Sequence, residues 1–305
     1  MLTRHRQALQ LLLLGLLATL VLLGLYLVFL RTAPGQRFDD IAFEGRKAIR
    51  LAARRPATFL VHVLTIPSVL LGCAWIAVDT VRRGWWRTGA VALGSVALTV
   101  VLARLLKGAV TRPELVDLAY ASSRNTLPSG HTAAVMAVLL AAVSACQAPI
   151  RAFLASAAAV LAAIYVTALI GSGWHRFSDV FAGMALAVAV TSIATATRLF
   201  LFEDSANSLG NAGWFYQNLA LPVRVGLLRP VRVVGVMSLG AVILLVLLQN
   251  PTSDPRHSLL SYILAVLACC LFSMVSVFVF AQILGCPTLP SEPETETETL
   301  SPGVR

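Results

Sequence analysis

Long apolar runs fill this chain, and short polar gaps separate them. The runs cover Ala8–Leu30, Phe59–Val78, Thr88–Leu106, Thr132–Gln147, Phe153–Gly171, Val180–Phe202, Val231–Leu248 and Leu259–Cys286. A helix of about 20 apolar residues crosses a bilayer. The pattern therefore predicts eight spanning helices, the fourth of them short. The fifth and sixth are parted only by Ser172–Asp179 and form a tight hairpin. The expected fold class is all-α, an integral membrane helical bundle. The first run exceeds the ~7–15 apolar residues of a secretory signal. The stretch after it, Arg31–Gly35, is a weak cleavage site, so we read a retained helix.

Composition supports this reading. Of 305 residues, 58% are hydrophobic and 12% charged, and the mean hydropathy is +0.81. So little charge cannot cover a water-facing surface. A disordered chain, a coiled coil and a typical soluble enzyme are excluded. The balance of 24 basic to 14 acidic residues gives a net charge of +10. The cations sit in the gaps between runs, which suits headgroup contact and topology rather than nucleic acid. Expected partners are membrane lipids and a ligand with an anionic head. Nothing in the sequence sets an oligomeric state. Cys73, Cys146, Cys269, Cys270 and Cys286 lie in or beside apolar runs without metal-type spacing, as free thiols do.

The connector 36–55 mixes Arg37, Arg46, Lys47, Arg50, Arg54 and Arg55 with Phe38, Ile41, Phe43, Ile49 and Leu51. An amphipathic helix on the headgroups and a solvated loop both fit it. The tail Pro287–Arg305 carries prolines and glutamates without apolar period and reads as disordered. Two loops stand apart, Lys107–His131 and Gly171–Asp179. They lie two crossings apart, so eight spans put them on one face of the membrane.

Three blocks in these loops carry chemistry. Asn125-Thr126-Leu127-Pro128-Ser129-Gly130-His131-Thr132 opens a helix, where backbone amides gather partial positive charge and cradle anions. His131 beside them exchanges a proton near neutral pH. Pro-Ser-Gly alone also reads as an ordinary helix start. In Gly173-Trp174-His175-Arg176-Phe177-Ser178-Asp179, His175 and Asp179 stand four apart and share a helical face. A carboxylate on one ring nitrogen fixes the tautomer and makes the other a nucleophile. The pair also reads as an interfacial hydrogen bond ending a helix. Arg104, Lys107 and Arg112-Pro113 close the third span, where cations commonly snorkel. Trp85, Trp86 and Trp174 read as interface belt residues.

The order Lys, Arg-Pro, then Pro-Ser-Gly-His, then His-x-x-x-Asp resembles the type 2 phosphatidic acid phosphatase superfamily, the integral-membrane lipid phosphate phosphatases. The second block matches at Pro128, Ser129, Gly130 and His131, and the third at His175 and Asp179. The resemblance covers the first six spans. It divides the chain into a phosphatase-like core at 1–202, a connector with two additional spans at 203–286, and the tail at 287–305. It implies that His175 takes the phosphoryl group as phosphohistidine, Asp179 orients it, and His131 protonates the departing alkoxide. Lys107, Arg112, Ser129 and the Gly130 amide would hold phosphate oxygens. No metal or other cofactor is implied.

Two departures stand out. The family's first block puts Arg-Pro seven residues after its lysine, whereas Arg112 follows Lys107 by five. The third block's Ser-Arg, six to seven before its histidine, is replaced by Ala168 and Leu169. Arg176 and Arg124 are the expected substitutes. The implied function is a metal-independent phosphatase acting on a polyprenyl or glycerolipid phosphate or diphosphate. A non-catalytic lipid-phosphate binder and a phosphotransferase using the same site remain alternatives. With the N-terminus in the cytoplasm, both loops face the exterior or periplasm of a cell membrane. Loop charge supports this weakly, with eleven cations inside and thirteen outside, five of the latter near the site.

Overall fold

The computed structural model describes residues 2–48, 65–116, 125–202 and 255–285, with 57–59, 61 and 63. Among them there are helices and no strands. Helix α1 (Leu2–Leu25) runs on through a π-turn at Tyr26–Leu30, then α2 (Ala33–Gly45) and a 3-10 turn at Arg46–Ala48 follow. Next come α3 (Thr65–Arg82), α4 (Trp86–Ala109), α5 (Gly130–Ala145), α6 (Ala148–Ser172), α7 (Phe177–Leu201) and α8 (Pro255–Ile283). Six of these are long and apolar enough to cross a membrane, within α1, α3, α4, α6, α7 and α8. The chain is an all-α membrane bundle, as the apolar pattern predicts. The run Val231–Leu248, the tail and Arg124 lie outside the described residues.

The fourth run is a different kind of helix from the other spans. At 16 residues and 1.5 Å per residue, α5 is roughly 24 Å long, short of a ~30 Å hydrocarbon core. It need not meet lipid at both ends, because most of its length is buried between α3, α4, α6 and α7.

Helix α7 is the axis of the bundle, with 83% of its apolar window buried. Helices α1, α4, α5 and α8 pack around it. Gly183 lets α5 come close to α7, since a Cβ there would lie 2.6 Å from the Ser129 carbonyl oxygen and 3.1 Å from Thr132 Cβ. An aromatic chain ties the outer elements to this axis. Phe29, Phe38 and Phe177 contact one another edge to face or tilted, Phe177 meets Phe181, and Phe181 meets Phe272 of α8 at 4.5 Å.

The described part of the connector, 36–48, is helical rather than a loop, and one of its faces is packed. Thr32 caps α2 by accepting the Gly35 N–H at 3.2 Å. Its buried residues Phe38, Asp39, Ala42, Phe43 and Gly45 form one face. That face meets α8, where Gly45 abuts the Ser258 backbone and Tyr262. At the opposite end of the bundle the buried Arg151 donates to the carbonyls of Leu284 and, at 3.1 Å, Cys146. It satisfies helix-end carbonyls that would otherwise be orphaned.

Candidate active site

Both motif loops, the end of α4, the whole of α2 and the start of α8 meet at one end of the bundle. The second block begins with a local lock. Asn125 accepts the Leu127 N–H at 3.0 Å and donates to the Leu127 carbonyl at 2.9 Å and the Lys107 carbonyl at 3.4 Å. A cis Leu127–Pro128 bond follows. Ser129 then caps α5, its Oγ accepting from the Thr132 N–H at 3.4 Å and the Thr132 hydroxyl at 3.1 Å. The Ser129 hydroxyl thus serves as the ordinary helix cap that the sequence also allows. Its own N–H donates to the Asp179 carbonyl at 2.8 Å, which joins the start of α5 to the first turn of α7. Beside it, a Cβ at Gly130 would meet nothing within 4 Å, so the mouth of α5 is open. The first-turn amides there belong to a helix N-terminus, the backbone feature that favours anions.

The third block turns on Gly173. Its φ of +76° ends α6 in the left-handed region, which a glycine adopts without strain. The chain reverses and delivers Trp174, His175 and Arg176 before α7 starts. Asp179 is the third residue of α7, and its Oδ2 accepts the Arg176 N–H at 3.0 Å and the Thr126 hydroxyl at 2.7 Å. Oδ2 also lies 3.5 Å from His175 Nδ1, a long contact that points one ring nitrogen at a fixed carboxylate. His175 and Asp179 are both buried. The rings of His131 and His175, 44 residues apart in the chain, have centroids 6.0 Å apart. Trp174 packs edge-on against His131 at 5.5 Å, inside the site rather than in a lipid-facing belt.

Three of the predicted cations lie at this end of the bundle. Arg112 is buried in the segment after α4, with its Nη2 3.3 Å from Asp39 Oδ2. Its Nε and Nη1 are buried without a hydrogen-bond partner among the described residues. Arg176 caps α7 through its backbone and its guanidinium lies 5.9 Å from the Phe43 ring. Lys107 is half-buried in the last turn of α4, and its carbonyl meets Asn125. Of the predicted residues, the structure thus gathers His131, His175, Asp179, Ser129, Gly130, Arg112 and Arg176 around the joined starts of α5 and α7.

Sequence reasoning missed four contributors. Thr126 holds Asp179. Asp39 accepts the Ser178 N–H at 3.0 Å and the Ser178 hydroxyl at 2.6 Å, joining α2 to the start of α7. Burial pushes the Asp39 carboxyl above the usual aspartate range, while Arg112 pulls it back. Gln36, also buried, bonds the backbone beyond Arg112. Arg46 packs on the third block, its Nε 2.5 Å from where a Gly173 Cβ would stand. The one signal for them in sequence is that Asp39 and Arg46 are opposite charges seven apart, a spacing that returns to one side of a helix.

A family model described as the PAP2 superfamily matches residues 84–202. That stretch holds α4 to α7 and all three blocks. No curated protein and no solved structure matches the chain.

Proposed function

Because the chain belongs to the PAP2 superfamily through residues 84–202, a family that points to phosphatase chemistry on phosphate esters, we propose that it is a metal-independent lipid phosphate phosphatase. The observation that carries this reading is the approach of His131 and His175 to a centroid separation of 6.0 Å from separate helices. Two imidazoles brought together from separate helices can serve one phosphorus atom, one as nucleophile and the other as proton donor to the leaving group, as phosphoryl transfer requires.

In the first step His175 Nε2 attacks phosphorus, the N–P bond forms and the P–O bond to the lipid breaks. Asp179 holds Nδ1 and stabilises the ring as it gains charge. His131 gives its proton to the departing alkoxide. Water then attacks the phosphohistidine, His131 takes its proton, and inorganic phosphate leaves as the N–P bond breaks. Arg112, Lys107, the Gly130 amide and Arg176 neutralise the equatorial oxygens.

A lipid substrate is supported by what lies beneath His131. A cavity of about 240 Å³ between α3, α5 and α6 is lined by Val135, Val138, Leu139, Leu161, Ile164 and Tyr165 among others. The α5 residues stand four, seven and eight positions after His131, so they continue its face into the bundle. A phosphate at His131 and a hydrocarbon tail in this cavity would belong to one molecule. The site would face the exterior or periplasm of a cell membrane.

The test is phosphate release by the purified protein in detergent with a chelator, offered prenyl and glycerolipid phosphates beside His175→Ala. Release from wild type that is lost in the variant is expected. Release that survives His175→Ala, or that needs added metal, refutes the mechanism.

A further inference from the structure

We propose that α2 is a positioning clamp for an anion seat at Arg112, with Asp39 and Gln36 as its jaws. The clamp lies outside the stretch that carries the family match. It answers a problem specific to this chain, an arginine displaced from the family's spacing onto a segment without helical support.

Arg112 lies past the end of α4, in backbone that is neither helix nor strand. Nothing in its own segment fixes its side chain. Its side chain is 3% exposed, yet a single nitrogen is bonded, to Asp39. A buried guanidinium with two unpartnered nitrogens is costly. A phosphate placed against Nη1 would supply a missing acceptor through a charge-assisted bond of the kind arginine offers oxyanions. The guanidinium is thus held by one nitrogen and left incomplete at the other two.

Gln36 holds the backbone. Its Nε2 donates to the Pro113 carbonyl at 2.7 Å and the Leu30 carbonyl at 3.0 Å, and its Oε1 accepts the Leu115 N–H at 3.3 Å. The residues after Arg112 are thereby pinned to the end of the first span. Asp39 holds the side chain. The same carboxylate that takes Arg112 also takes the N–H and hydroxyl of Ser178. Ser178 neighbours Asp179, which faces His175. The clamp therefore sets the seat in register with the nucleophile's own support, through one buried carboxylate. Asp39 and Gln36 are positioning residues acting through Arg112. The inference rests on the phosphatase reading for the identity of the anion.

The test measures inorganic phosphate binding to the full chain in detergent by titration calorimetry, which needs no turnover, alongside KM and kcat on a lipid phosphate. Asp39→Asn should weaken phosphate binding by about tenfold, the usual loss when a charge-assisted contact goes. KM should rise more than kcat falls, and Asp39→Glu should recover part of the loss. In an Arg112→Ala background Asp39→Asn should change phosphate affinity no further, because its effect runs through that arginine. Gln36→Leu and Ser178→Ala carry the same comparison should Asp39→Asn fail to fold. Unaltered phosphate binding by Arg112→Ala overturns the seat. Tighter binding by Asp39→Asn, or an equal loss with and without Arg112, overturns the clamp. Phosphate binding that follows the expected pattern in a protein that releases no phosphate from lipids would sink the phosphatase reading and leave the clamp standing.

Discussion

Gly183→Ala tests the central geometry without touching a catalytic group. The added Cβ would lie 2.6 Å from the Ser129 carbonyl oxygen, whereas ordinary contact begins at 3.4 Å, a shortfall of about 0.8 Å. Both neighbours are backbone-bound: the oxygen caps α5 by accepting the Ala133 N–H at 3.0 Å, and the glycine sits inside α7. Neither can rotate away, so the two helices must separate by several tenths of an ångström. His131 rides on the helix that moves, while His175 stays with α7. Overpacking of this kind costs about 1–3 kcal/mol in stability. Misplacing reacting groups by about 1 Å costs about a hundredfold in rate. The variant should therefore fold, melt at a lower temperature and lose roughly ten- to a hundredfold in kcat/KM. The assay is phosphate release per mole of monodisperse protein, with Gly94→Ala as control, since a Cβ there meets nothing within 4 Å. Wild-type kcat/KM in Gly183→Ala would refute the claim that this crossing sets the distance between the rings.

Thr126→Val keeps the shape of the side chain and removes the hydroxyl that bonds Asp179 at 2.7 Å. It should lower kcat about tenfold with little change in KM, because it acts on the support of the nucleophile; a KM effect alone would contradict that. Asp39 supplies a pH test. Its folded carboxyl is raised by burial, so it binds its proton more tightly folded than unfolded. Its contribution to stability is then present below about pH 3.9 and lost as pH rises through the folded value. Asp39→Asn does not titrate, so the stability gap between wild type and variant should narrow as pH rises, read by melting in detergent across about pH 4 to 8. A gap that widens with pH reverses the sign.

The bundle was readable because lipid imposes a coarse rule. Runs such as Phe153–Gly171 and Val180–Phe202 are long and carry at most one charge, and only helices satisfy their backbone in hydrocarbon. The three blocks were readable because spacing within each is local, as between His175 and Asp179. The support around them was not. Asp39 meets Arg112 across 73 residues and Ser178 across 139, and no local pattern announces such a pairing. The connector 36–55 stands out for its many cations, whereas an acid, Asp39, does the joining. Arg46 is hidden for a related reason: it reaches Gly173 across 127 residues. Thr126 is likewise silent in sequence, because its partner Asp179 stands 53 residues away.

The close seat of Gly45 on Ser258 and Tyr262, together with Phe272 on Phe181, has a bearing on biogenesis. During synthesis the ribosome releases both histidines and all three blocks well before it reaches the final helix. Until that helix inserts, α2 has α7 on one side and lacks its second wall. The centre is thus finished last by the part of the chain farthest from its chemistry, and a nascent protein halted after residue 202 would hold every reactive group while lacking the brace that closes them together.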